Sequence, residues 1–280
     1  MKTYNLQKKE IVEPYAGSAI VSLSLVANEV VSKATLIERA PSLIYSFWKA
    51  VFNHTDALVS KIEGVSVNID SWHYFRELLK HDQPDEDRVV ELALACIFLN
   101  RTNFSGVLHS GPIGGRSQSS QYKIDCRFIK KDIVSRIKNI AQLKERIFIT
   151  FGDALSFLNK FNAKNTKECF YYIDPPYFKQ GSQLYRFHYK TVDHKRLADV
   201  LNEADFPWLL SYDKDEFIEL LYANFQQIHQ SFRYMSKIPK TEKELVITNM
   251  KNSVQKNTKP SISVCRDSGN KIDQRVQRVP

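Results

Sequence analysis

Hydrophobic positions in this chain gather into short runs that each stop on a polar residue. Glu10 to Glu13 leads into Pro14-Tyr15-Ala16-Gly17-Ser18, Thr35 to Ile37 stops at Glu38, and Ile147 to Phe151 stops at Gly152-Asp153. Phe170 to Ile173 stops at Asp174, and Trp208 to Leu210 stops at Ser211-Tyr212-Asp213. Each run has strand length and composition. Helical spacing follows most of them, as in Ile20, Leu23 and Ala27, or in Leu43, Ile44, Phe47, Trp48 and Val51 behind Pro41, a residue suited to a first helical position. Strand and helix in alternation predict an α/β fold: a mostly parallel, Rossmann-like sheet covered on both faces. In such sheets ligands bind beyond the carboxyl ends of the strands, and there the acids of this chain collect.

Asp174-Pro175-Pro176-Tyr177 carries the most chemistry. Neither proline has an N–H to continue a ladder, so the strand must end, and a rigid turn sets one carboxylate, two carbonyls and an aromatic face side by side. This is a receptor for a planar group bearing an NH2, although the same four residues also serve simply to terminate a strand. The first unit suggests a second ligand. A strand, a turn at Ala16-Gly17-Ser18, a helix and a second strand ending in Glu38 resemble the nucleoside-binding half of a Rossmann-like sheet, with the acid on the ribose hydroxyls. Gly-x-Gly-x-x-Gly is absent, which argues against a pyrophosphate and for a nucleoside without phosphates. S-adenosylmethionine (AdoMet) fits, with Asp153 placed to accept from its adenine amino group. Glu38 also reads as a solvated strand end, and Asp153 as the N-cap of a helix over Ala154 to Phe161.

Composition narrows the setting. The four cysteines (Cys96, Cys126, Cys169, Cys265) are far apart and form no metal-ligand or disulfide pattern, so no metal is expected. The N-terminus is polar, and the longest apolar run, Leu92 to Leu99, is too short to cross a bilayer. A reduced, cytoplasmic protein without membrane contact is the expectation. Of the net charge of +9, five units lie in residues 251–280, where seven cations face two acids; this segment reads as a flexible basic tail that either solubilises the chain or meets phosphates.

The chemistry-bearing segments in order, Glu13-Pro14-Tyr15-Ala16-Gly17-Ser18-Ala19, Glu38, Gly152-Asp153, Asp174-Pro175-Pro176-Tyr177, Asp193-His194-Lys195-Arg196-Leu197, Ser211-Tyr212-Asp213 and Glu244-Leu245-Val246-Ile247-Thr248-Asn249, resemble the successive motifs of the Dam-like, α-class N6-adenine-specific DNA methyltransferases. The similarity spans roughly residues 10–250. It implies an AdoMet-dependent enzyme acting on double-stranded DNA, with restriction-modification systems as one setting. The catalytic residues would be Asp174, Pro175, Pro176 and Tyr177; the cofactor would meet Glu13, Tyr15, Ala16, Gly17, Ser18, Glu38, Asp153, Ala154 and Asp174. Residues 1–52 and 147–250 would form the catalytic domain, and 53–146 an inserted, mainly helical target-recognition domain. Asn100-Arg101 and Phe104-Ser105-Gly106 resemble that family's Asn-Arg and Phe-Asn-Gly pattern, with Ser105 in place of the usual Asn. The glycine-rich loop that follows carries Arg116, Gln118, Gln121 and Lys123, side chains suited to base edges and phosphates.

An adenine amine is a poor nucleophile, so Asp174 and the Pro175 carbonyl would each accept one N–H, orienting the nitrogen lone pair, while Tyr177 stacks on a base flipped out of the duplex. Tyr185, Phe187 and Tyr189 could line the same pocket or belong to the core. Only twelve residues precede Glu13, and they lack the Gly-Gly-Lys element with which this family usually holds the methionine end of AdoMet; Lys8 or Lys9 would have to substitute. RNA adenine or cytosine-N4 methylation, and a non-catalytic DNA-binding subunit of an assembly, stay open as alternatives, as does a monomer against a partnered chain.

Overall fold

The computed structural model describes residues 9–39, 42–81, 83–162, 168–179, 189–234 and 240–250. Seven strands form one sheet: β1 (Glu10–Glu13), β2 (Ala34–Glu38), β3 (Ile147–Phe151), β4 (Cys169–Ile173), β5 (Trp208–Asp213), β6 (Gln226–Tyr234) and β7 (Lys240–Thr248). Their order is β3-β2-β1-β4-β5-β7-β6. The first five run parallel, with Ile11 opposite both Ala34 and Phe170, whereas β7 lies antiparallel between β5 and β6. The chain leaves β1 towards β2 on one side and β4 towards β5 on the other. Between the ends of β1 and β4 the order reverses, which opens a crevice for a ligand.

Side chains of period two sort the core into halves. Ile11, Leu36 and Phe170 face one way and Val12, Ile37 and Tyr171 the other, each set buried in its own apolar cluster. The first face is covered by α1 (Ile20–Ala27) and by five helices between β2 and β3: α2 (Ser42–Asn53), α3 (Thr55–Gly64), α4 (Ile69–Glu77), α5 (Val89–Thr102) and α6 (Lys130–Ala141). Leu58, Trp72, Leu92, Phe98 and Ile137 of these helices share one cluster with Ile11 and Leu36. The second face carries α7 (Ala154–Asn162), α8 (Thr191–Asn202) and α9 (Glu216–Leu221), through Leu158, Leu197 and Ile218. The α/β, mostly parallel sheet expected from the alternating pattern is thus the architecture found.

Differences from the sequence reading are local. β5 continues through Ser211, Tyr212 and Asp213, because β7 pairs with it from Leu209–Thr248 to Asp213–Glu244; polar residues read as a strand end are covered by a neighbour from far along the chain. The sequence patterns do not mark α3, α8 or α9. Pro41, Tyr185, Phe187, Lys8 and the segment 251–280 lie outside the described residues. Lys9 immediately precedes β1.

Candidate active site

The turn after β1 is built by neighbours rather than by its own side chains. Gly17 has φ +45°, and a side chain added there would meet nothing within 4 Å, so open space lies over this backbone. Its N–H donates to Glu38 Oε2 at 2.9 Å, and its carbonyl accepts from Trp48 Nε1 at 2.9 Å. Ala19 is also left-handed, at φ +49°, a conformation that strains a residue with a Cβ. It is fixed by Ala19 N–H donating to the Ala16 carbonyl and by its own carbonyl accepting from Leu23 at the start of α1. Glu38 thereby sits at the tip of β2 against the turn, with Oε1 accepting from Arg39 N–H at 3.1 Å.

Glu13 is bound into the fold itself. Its carboxyl is only 3% exposed, and Oε2 accepts from the backbone N–H and, in a short contact, the hydroxyl of Ser22 in the first turn of α1. Burial raises its pKa to about 8, opposed by the two Ser22 bonds and aided by nearby Asp174 and Glu38. Glu13 ties β1 to α1 and so shapes the turn between them. Asp153 caps α7: Oδ1 accepts from Ser156 N–H and Oγ, both at 2.9 Å, while Oδ2 meets Arg39 at 3.0 Å. Ala154, the first helical residue, is buried. Asp153 thus caps α7 through Oδ1, which leaves Oδ2 to Arg39.

At the end of β4, Asp174 presents an unusual carboxylate. Oδ1 is buried and has no hydrogen-bond partner among the described residues. Burial and then the Glu244 carboxylate raise its pKa from 3.8 to about 7. A charged group left unsatisfied in a crevice is costly, and it fits a donor that arrives with a ligand. Pro175 is buried; Pro176 and Tyr177 are half-buried. The backbone beyond them is pinned from β5, because Asp213 accepts from Phe178 N–H at 3.0 Å and Lys179 N–H at 2.9 Å. Asp213 and Trp48 are the supports that sequence reasoning missed. The only signals were Asp213's position at a strand end and the helical spacing of Trp48.

The expected DNA-contacting residues divide in two. Asn100 is buried, with Nδ2 donating to the Gly106 carbonyl, and Gln118 spends its amide on the loop: Nε2 donates to the Ile113 and Gly115 carbonyls and Oε1 accepts from Ile124 N–H. Gln118 thus spends its whole amide on the loop, whereas Asn100 keeps a buried Oδ1 with no hydrogen-bond partner among the described residues. Lys123 is exposed but bonds the Gln118 carbonyl; Arg116 and Gln121 are exposed at the loop surface. Arg101 is half-buried, and burial, then the nearby Arg127 and Arg136, lower its pKa. The residue that organises the head of the loop is Asn103, fully buried, which accepts from Trp72 Nε1 at 2.6 Å and donates to the carbonyls of Val107 and Leu108.

The sheet order, the turn after β1 and the buried carboxylate after β4 are those of a Rossmann-like AdoMet-dependent methyltransferase fold. The sequence matches the model of the D12 class N6 adenine-specific DNA methyltransferases over residues 2–236, and the chain belongs to that family. It is an adenine-specific DNA methyltransferase by that membership. No significant match was found among curated proteins. Among solved structures the chain is similar to a SAM-dependent methyltransferase from Agrobacterium tumefaciens, at 10% identity and TM-score 0.38, covering 86% of this chain and 56% of that one. It is also similar to the rRNA methyltransferase aviRa from Streptomyces viridochromogenes, at 9% identity and TM-score 0.37, covering 88% and 80%. A SAM-dependent methyltransferase from Neisseria gonorrhoeae gives 11% identity and TM-score 0.36, covering 91% and 66%. Overlaps this loose carry no argument about activity, which rests on the family match. No described helix is long and apolar enough to cross a membrane, and no cluster of potential metal ligands occurs among the described residues.

Proposed function

We propose that this chain methylates the N6 amino group of an adenine flipped out of a specific double-stranded DNA sequence. The observation that carries the reading is the buried, partnerless Oδ1 of Asp174, held at a strand end across the switch point from an open glycine turn. The residues present fit AdoMet: Ala16, Gly17 and Ser18 let a ligand approach the backbone, Glu38 stands where ribose hydroxyls would donate, and Asp153 Oδ2 is available to an adenine amine once Arg39 shifts. AdoMet, when bound, supplies an electrophilic methyl on a sulfonium.

The protein's own part is positional and electrostatic. Asp174 accepts one N–H of the target amine and the Pro175 carbonyl the other, which turns the nitrogen lone pair out of conjugation with the ring. The ionised carboxylate then stabilises positive charge as it grows on that nitrogen. Tyr177 stacks on the extruded base, and Asp213 keeps the supporting backbone from moving by gripping the amides of Phe178 and Lys179. Arg116, Gln121 and Arg101 are the side chains of the helical insertion proposed to meet DNA, since Asn100 and Gln118 are occupied in building the loop.

The test is methyl transfer from labelled AdoMet to duplex DNA. Wild type is expected to label DNA, and Asp174→Ala to lose labelling while still retarding DNA in a gel. Absence of transfer by wild type to any genomic DNA, alone or with candidate partners, refutes the enzyme reading; loss of DNA binding with Asp174→Ala refutes the acceptor role.

A further inference from the structure

The cofactor turn and the acceptor loop are joined by a chain of aromatic side chains. Tyr15, in the turn after β1, and Tyr189, just before α8, are 174 positions apart, yet their hydroxyls lie 2.7 Å from one another with the rings edge to face at 5.8 Å. Behind Tyr189 stands His194, 1% exposed, whose ring meets Tyr189 at 5.5 Å and Phe178 at 5.2 Å. The imidazole Nδ1 and the Tyr212 hydroxyl lie 2.7 Å apart in a hydrogen bond, and burial lowers the pKa of the ring. Tyr212 immediately precedes Asp213, the residue that grips Phe178 and Lys179 beyond the acceptor tetrapeptide. Tyr189 also lies within electrostatic reach of Asp153 and Arg39, on the side of the crevice where the adenosine is proposed to bind.

We infer that Tyr189 is a positioning residue for the methyl donor: its hydrogen bond to Tyr15, backed by His194, fixes the cofactor turn relative to the acceptor loop. Packing alone does not call for the phenol–phenol bond, because both rings lie against the same apolar cluster and would pack there as phenylalanines. What the hydroxyls add is a direct tie between the turn after β1 and the residues that precede α8, beside the contacts that Glu38 and Asp213 make from the sheet. This assignment rests on the AdoMet reading of the turn.

Calorimetry of the full chain with AdoMet, together with steady-state methyl transfer, tests it. Tyr189→Phe and Tyr15→Phe keep both rings and remove only the bond. Each is expected to weaken AdoMet binding by about 3- to 10-fold, the range of one net hydrogen bond, and to raise the KM for AdoMet while leaving the KM for DNA unchanged. The double variant should be no worse than either single one, since both remove the same contact. Wild-type affinity in Tyr189→Phe overturns the inference, as do losses that add in the double variant or a parallel rise in the KM for DNA. If wild type itself fails to bind AdoMet, the cofactor reading of the turn falls, and the inference with it.

Discussion

Asp174→Asn should stabilise the protein and inactivate it. The substitution keeps shape and removes charge at a carboxyl whose pKa is raised from 3.8 to about 7 by burial and by Glu244. A shift of about three units, at about 1.4 kcal/mol each, sets a ceiling of roughly 4 kcal/mol on the cost of holding this carboxylate ionised in the fold. Because the folded pKa lies above the unfolded one, the folded protein holds more protons between about pH 4 and 7. Stability contributed by the neutral carboxyl is therefore lost as pH rises through that window, then levels off. Urea unfolding followed by circular dichroism should show Asp174→Asn more stable than wild type by about 2–4 kcal/mol at pH 8, with the gain shrinking below roughly 1 kcal/mol at pH 4. Glu13, itself raised to about 8, is present in both proteins and largely cancels in the difference. The same variant should lose roughly 100- to 1,000-fold in methyl transfer, the usual cost of removing a preorganised charge. Equal stability at pH 8, or a gain that does not change with pH, would refute the claim that this carboxylate is buried at a cost and kept for function.

The acid limb of kcat/KM for DNA should fall with a midpoint near pH 7, because only ionised Asp174 accepts the amine and the free enzyme's pKa governs that profile; a flat profile from pH 6 to 8 speaks against it. Glu38→Gln weakens both the Gly17 contact and the ribose site, so the KM for AdoMet should rise about 10- to 100-fold with the KM for DNA unchanged. Gln118→Ala removes three loop hydrogen bonds and should lower stability by about 1–3 kcal/mol as well as DNA affinity, whereas Arg116→Ala should weaken DNA binding with an unchanged thermal midpoint. Ser105, at φ +54°, occupies a left-handed position that asparagine tolerates better, and Ser105→Asn should raise the unfolding free energy by a few tenths of a kcal/mol in urea titration.

Legibility in the sequence followed how local each feature is. β1, β3 and β4 could be placed from runs of β-formers because their ends are marked by Pro14, Gly152 and Asp174-Pro175. β5 was cut short at Leu210, since Ser211 and Asp213 look like a strand end until β7 pairs with them from more than thirty residues away. The site divides the same way. Asp174 and Glu38 were visible as acids following strands. By contrast, the commitment of Glu13 to Ser22, of Asn100 to Gly106 and of Gln118 to its own loop depends on side-chain directions that no spacing encodes. Tyr15 and Tyr189 could not be paired from sequence, because only the convergence of β1 and α8 at the crevice brings their hydroxyls together.

The identity of the methylated nucleoside tests the central claim most directly. DNA from cells that lack adenine methylation, expressing this chain, would be digested to nucleosides and separated by mass. N6-methyldeoxyadenosine should appear with wild type and vanish with Asp174→Asn. N4-methyldeoxycytidine in its place, methylation confined to RNA, or an unchanged N6-methyldeoxyadenosine yield from the Asn variant would contradict the role given to Asp174-Pro175-Pro176-Tyr177.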